Sequence, residues 1–310
     1  MNRQQVVEGN PIPSGYLAGA PAGPRTAVVF GGGGITGIAW ELGVLARLLE
    51  VGIPLDDADL VVGTSAGSVV GTTLRLGASG IADAYAEQLV PAAATPEAAL
   101  DGEDFMQRIG QAIQGATNAE EARARLGALA RQVPVTGDEP ELVTAMRGRF
   151  GADAAWPEGQ LAICTVDATD GEFRVLTAAS GVPLHVAVAA SCSVPLVWPT
   201  VEVDGRPTMD GGIRSGTNAD VADAAERVLV LSCGPELAQS PLGPTLPGVV
   251  STRMGADRPV FVIEADAESI ASFGANSLSS ANRGPAAEAG RRQAEGVVEA
   301  VRAFWAGTAA

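Results

Sequence analysis

Three short segments of this chain carry residue types that can do chemistry together. Gly63-Thr64-Ser65-Ala66-Gly67 sets a serine between glycines placed two before and two after it. A serine on a sharp strand-to-helix turn crowds its neighbours, and small residues at those positions relieve the crowding. Such a turn also leaves backbone N–H groups unpaired at the start of the helix, where negative charge is welcome. The same five residues can be an ordinary turn in a glycine-rich chain, so the flanking elements decide.

The second segment is Gly31-Gly32-Gly33-Gly34-Ile35-Thr36-Gly37. Consecutive glycines let backbone amides converge on a phosphate or on the oxyanion of a tetrahedral intermediate. A phosphate loop of the Walker type needs Gly-Lys followed by Ser or Thr, and this chain has no lysine. A dinucleotide fold wants an acidic residue at the end of the second strand, about 20 residues on. Glu50 lies near that distance but in phase with a helix end. The second strand delivers Ser65 instead. An oxyanion site therefore accounts for both glycine segments, and a nucleotide site for one.

The third segment is Asp210-Gly211-Gly212. Asp beside two glycines is often only a turn. Here it ends an apolar segment, and the glycines let another part of the chain come close. A serine hydroxyl is a poor nucleophile until a neighbouring group takes its proton. The only histidine is His185, flanked by Val182, Leu184, Val186 and Val188, which reads as a packed core residue. A Ser-His-Asp triad through His185 is the weaker alternative.

The elements that must position these groups follow from periodicity. Thr26 to Phe30 is a Val-rich run that reads as a buried strand ending in the glycines. Ile38, Leu42, Leu45 and Leu49 form one apolar helical face. Leu60 to Val62 is a second strand, followed by a helix to about Leu76. Alternating strands and helices predict a parallel sheet with helices on its faces. Between Asp83 and Phe150 strand runs vanish and Ala, Glu, Gln and Arg dominate. Several helices are expected there, broken near Pro91, Pro96 and Pro134, as a capping insertion beside the site. Beyond it, Gln160–Val166, Glu172–Thr177, Arg227–Ser232 and Pro259–Glu264 read as strands. Thr200–Val203 and Pro207–Met209 read as a hairpin about Asp204-Gly205. Pro183–Ala190, Thr217–Ala225 and Pro285–Ala306 read as helices.

Composition narrows the function further. The chain has 310 residues with a formal net charge of −16, and all 20 basic residues are arginine. Such a body repels nucleic acid and anionic lipid, with a screening length of about 8 Å in physiological salt. No nucleic-acid partner and no stable membrane insertion are expected; transient lipid contact is. Cys164, Cys192 and Cys233 are odd in number, lack metal-site spacing and end apolar runs, so they read as buried thiols. Residues 1–24 read as an irregular arm without a leader-like apolar core, and the expected location is cytoplasmic.

Together these segments resemble the patatin-like phospholipase family, over most of residues 25 to 305. The family has a glycine-rich oxyanion loop, a Gly-x-Ser-x-Gly elbow, and an Asp-Gly-Gly or Asp-Gly-Ala segment that supplies the aspartate of a Ser-Asp dyad. The resemblance puts the oxyanion loop on Gly32, Gly33 and Gly34, possible help from Ala66, the nucleophile on Ser65 and the dyad aspartate on Asp210. Gly63, Gly67, Gly211 and Gly212 shape the surroundings. Ala190-Ser191-Cys192-Ser193-Val194-Pro195 is similar to the family block before the aspartate, and Asn218 sits where a polar residue often follows it. One departure is Thr36, where the family usually carries Arg or Lys. The implied fold is a three-layer α/β/α sandwich with a mostly parallel central sheet and a helical cap at about 83–150, within one hydrolytic domain over 25–310. The implied activity is acyl-ester hydrolysis with no metal or organic cofactor. An acyltransferase or thioesterase using the same dyad, and a silent lipid- or acyl-binding protein, are the alternatives.

Overall fold

The computed structural model describes residues 25–91 and 102–307. The expected arm over 1–24 and the break at Pro96 lie outside the described residues. In chain order the elements are β1 (Thr26–Phe30), α1 (Gly34–Glu50), β2 (Leu60–Thr64), α2 (Ala66–Arg75) and α3 (Ala78–Leu89). Next come α4 (Gly102–Ile113), α5 (Ala119–Ala130), α6 (Glu141–Phe150), β3 (Gln160–Asp167), β4 (Phe173–Leu176) and α7 (Leu184–Ser191). The chain closes with β5 (Val201–Val203), β6 (Arg206–Asp210), β7 (Arg227–Ser232), α8 (Leu246–Gly255), β8 (Val260–Glu264), α9 (Ala267–Phe273), α10 (Arg283–Glu295) and α11 (Val298–Trp305).

β8, β7, β1, β2 and β3 run parallel and neighbour one another in that order. β1 shows why the sheet must be covered on both faces. Val28 and Phe30 enter one apolar cluster with α1, α2, α3, α7, α10 and α11. Ala27 and Val29 enter another with Ala219, Val221 and α8. Alternate residues point to opposite faces, so an unbroken apolar strand needs helices on both sides. Phe30, Leu42 and Leu45 are fully buried, each contributing about 1.5–3 kcal/mol by transfer from water. The layers and the mostly parallel sheet are those the sequence implies.

The antiparallel part positions the chemistry. β3 is eight residues long and outlasts β2. β2 pairs with Gln160 to Cys164 of β3. β6 then pairs with Thr165 to Asp167, while β4 pairs with Ile163 to Val166. The overlaps put β4 on the far edge and leave β2 and β6 end to end along the near one. Thr64 faces Cys164 and Asp210 faces Thr165, so the C-terminal ends of β2 and β6 meet.

Two expectations need correction. Only a 3₁₀ turn, Ala219–Ala222, forms within 217–225, because Asn218 takes a left-handed φ of 47° that a helix starting at Thr217 forbids. The expected closing helix is two helices. α10 ends at Glu295, and the chain re-aims through Gly296 and Val297 so that α11 can set Phe304 5.5 Å from Phe261. α8 and α9 have no counterpart in the periodicity reading. Within the 83–150 stretch, α3 packs in the main helical layer against α1 and α10. α4 and α5 lie over Val166, Ala168, Met209 and Ile213, and α6 packs on α7.

Candidate active site

β2 lies between β1 and β3 and stops at Thr64. Ser65 turns the chain with φ 51° and ψ −118°, and α2 starts at Ala66. That conformation costs a non-glycine residue about 1–3 kcal/mol, so its surroundings must hold it. They do so at both ends of the residue. The Ser65 N–H donates to Ser191 Oγ at 2.9 Å, and Ser191 donates onward to the Cys164 carbonyl at 2.8 Å. The Ser65 carbonyl accepts from Ser68 Oγ at 2.7 Å and from Cys192 Sγ at 3.3 Å. The two glycines of the motif are close-approach positions. A Cβ on Gly67 would stand 2.1 Å from the Phe30 carbonyl oxygen, and one on Gly63 2.5 Å from that of Gly67.

The glycine segment after β1 lies against this turn. A Cβ on Gly32 would be 3.5 Å from the Ser65 Cβ. The Gly32 N–H donates to the Gly216 carbonyl at 2.8 Å, so that amide is already engaged. Among the described residues no protein acceptor takes the amides of Gly33, Gly34 or Ala66.

Asp210 reaches the same place from β6. Its Oδ1 accepts the Gly212 N–H at 2.6 Å, and its Oδ2 is buried without a hydrogen-bond partner. Burial pushes its pKa from 3.8 to about 6, against the lowering pull of the Ser65 hydroxyl and the Gly212 amide. The Ser65 hydroxyl is thus near enough to lower the carboxyl's pKa, while Oδ2 carries no closed hydrogen bond.

Sequence reasoning gave little weight to the network beneath these groups. Asn218 Nδ2 donates to Thr64 Oγ1 at 3.1 Å, to the Gly211 carbonyl at 3.0 Å and to the Ser215 carbonyl at 3.0 Å. Arg214 donates to Asn218 Oδ1 at 2.8 Å, grips both oxygens of Asp220, and lies 4.0 Å over the Phe173 ring. One buried amide thus ties the residue before Ser65 to the residue after Asp210. Arg214 carries no sequence signal of its own, and Ser191 shows only as part of the Ala190–Pro195 block, since each acts through neighbours brought from elsewhere.

The patatin-like phospholipase family profile matches residues 28–223. That span contains all three glycine-flanked segments and more than half the chain.

The chain belongs to the patatin-like phospholipase family.

Membership makes it a patatin-type hydrolase. Thirteen solved chains align with it, two of them as follows. VipD from Legionella pneumophila does so at 13% identity and a TM-score of 0.42, over 91% of this chain and 67% of that one. The type III effector protein ExoU does so at 14% identity and a TM-score of 0.40, over 91% of this chain and 54% of that one, little more than half its length. No curated protein matches in sequence.

Against the patatin-like pattern, Thr36 is the departure. It is fully buried, and its N–H and hydroxyl donate to the Ser277 carbonyl at 3.1 and 3.4 Å. A neutral clip to Ser277 thus holds the loop where the family usually has a cation. Glu41 of α1 lies under the loop, with both carboxylate oxygens buried and unpartnered, and burial raises its pKa well above the usual range. His185 is buried on α7 beside Arg147 and Glu139, and desolvation, then Arg147, lowers its pKa. It is not among the hydrogen-bonding partners of Ser65 or Asp210. Among the described residues no three His, Cys, Asp or Glu side chains are grouped to hold a metal, and no helix is long and apolar enough to cross a membrane.

Proposed function

We propose that this chain is a serine acyl-ester hydrolase in which Ser65 is the nucleophile and Asp210 the base. The observation that carries the reading is the Asp210 carboxyl. One oxygen is fixed by Gly212 and the other is buried and unpartnered, in a carboxyl whose pKa the Ser65 hydroxyl pulls down. A pKa of about 6 makes it a stronger base than a solvated aspartate while leaving it mostly ionised at neutral pH.

The reaction follows from the geometry. Asp210 Oδ2 takes the Ser65 proton as Oγ attacks the ester carbonyl carbon. The amides of Gly33, Gly34 and Ala66 receive the oxyanion, with Gly32 as the wall that sets the loop. The tetrahedral intermediate expels the alcohol, which leaves with the proton from Asp210. Water then attacks the acyl-enzyme, gives its proton to Asp210 and releases the acid, and Ser65 regains its proton. No cofactor enters the cycle. Small esters or lipids in transient contact are the substrates.

The α4–α6 stretch serves as a cap over this site. Its support is the packing of α4 and α5 on Met209 and Ile213, the residues on either side of the Asp210 segment. Slower hydrogen exchange in α4 and α5 on adding a substrate analogue is expected; unchanged exchange rejects the gate.

A fluorophosphonate probe tests the whole reading. Wild-type protein should be labelled on Ser65 and should hydrolyse p-nitrophenyl butyrate, and Ser65→Ala should do neither. Labelling that persists in Ser65→Ala places the nucleophile elsewhere.

A further inference from the structure

The glycine loop also lines a cavity. It measures about 310 Å³ and is lined by Gly32 and Gly33 together with Gly216, Glu236 and Phe273. Gly32 is the residue whose Cβ position lies 3.5 Å from Ser65 Cβ, so the cavity adjoins the reacting serine. The volume is at the small end for a ligand site and suits one end of an ester.

The lining has a definite charge. Glu236 Oε1 accepts from Thr217 Oγ1 at 3.0 Å, and Oε2 accepts the Leu246 N–H at 2.7 Å. These bonds fix the carboxylate's orientation and leave further acceptor capacity on both oxygens. Among the described residues no arginine is in ion-pair contact with it. The remaining lining residues include Ser232, Cys233, Pro235 and Ser277, none of them cationic. Phe273 supplies an aromatic ring that Trp40 holds edge-on, with centroids 6.5 Å apart. An anchored carboxylate and a fixed aromatic ring in one small cavity are the two groups that recognise an organic cation. They are poor company for an apolar acyl chain, which would strip water from the carboxylate and return no hydrogen bond.

We propose that this cavity receives the alcohol part of the ester and selects a cationic one, such as a quaternary ammonium or protonated amino alcohol, through Glu236 and Phe273. The inference rests on the Ser65 hydrolase reading and adds the substrate class to it. The net charge of −16 works in the same direction by drawing cations and repelling anionic headgroups.

The test compares butyrylcholine with its neutral isostere, 3,3-dimethylbutyl butyrate, on the purified full chain. At low salt the wild type should favour the cation in kcat/KM by about 5- to 30-fold. In Glu236→Gln the ratio should fall toward one, and Phe273→Leu should reduce it in part. Fluorophosphonate labelling of Ser65 establishes that each variant is folded. Should Glu236→Gln fold poorly, Phe273→Leu gives the second readout, because loss of the ring must lower the ratio without changing the net charge. Equal kcat/KM for the two esters in the wild type, or an unchanged ratio in folded Glu236→Gln, overturns the assignment. If p-nitrophenyl butyrate is still hydrolysed in that case, only the cavity's role is refuted. If Ser65 is unlabelled and no ester is cleaved, the hydrolase reading fails and this one with it.

Discussion

Replacing Asp210 by Asn should make the protein inactive and, at neutral pH, more stable. The Asn side chain keeps the shape: its Oδ1 can accept from Gly212 and its amide can donate to Ser65. What disappears is a charge in a fully desolvated place. The carboxyl's pKa is raised from 3.8 to about 6, chiefly by burial. Two units correspond to about 3 kcal/mol. An acid whose folded pKa exceeds its unfolded value holds its proton more tightly when folded. That stabilising contribution is whole below 3.8, declines as the pH rises, and is lost above about 6. The Asn variant has no such loss. Its stability relative to wild type should therefore improve by about 3 kcal/mol between the acid and neutral ends of that window. Urea unfolding of both proteins at matched pH values measures the difference, and all other titrating groups cancel. Activity should drop by about 10²- to 10⁴-fold over the same range. A stability gap that stays constant with pH would show that Asp210 is not a desolvated acid, and the argument for it as the base would go.

The same pKa fixes an acid limb in kcat/KM with a midpoint near 6, rising with pH as Asp210 ionises; a profile flat through that region contradicts it. His185→Gln should lose about 1–2 kcal/mol in urea and keep turning over substrate. If the folded variant is as dead as Ser65→Ala, a histidine triad replaces the dyad. Asn218→Ala breaks the bonds to Thr64, Gly211 and Ser215 and strips Arg214 of one acceptor. It should cost about 2–4 kcal/mol and lower kcat more than it alters KM, and a variant of wild-type stability would deny the network its role.

Much of this was legible in the sequence because the relevant signals are local. A Val run followed by glycines can be read at β1, and the Gly-x-Ser-x-Gly segment falls between a strand and a helix as written. The sandwich follows from such units. The departures have a common cause. The sequence from Thr217 to Ala225 has helical composition, but Asn218 gives up helical φ to bond Thr64, a residue 154 positions away. Gly296 interrupts a helical pattern so that α11 can reach Phe261. Ser191 stands in a segment similar to a family block, but nothing in that segment says that its hydroxyl takes the Ser65 amide. Contacts of this kind come from segments far apart in the chain, and no periodicity in either segment announces them.

β3 has a consequence for what the rest of the chain is free to do. Because β2 and β6 abut along one edge of a single strand, the gap between Ser65 and Asp210 is ruled off by the pairing of Cys164 and Thr165, adjacent residues. The length of the polypeptide joining β2 to β3 does not enter that measure. The α4–α6 stretch can therefore lengthen, shorten or be exchanged, and Ser65 and Asp210 will still arrive in register. A single-residue insertion within β3 has no such licence, since it would flip the strand's faces and pull Asp210 away from Ser65. The fold thus separates a part that must be copied faithfully from a part that can diversify without disturbing the first.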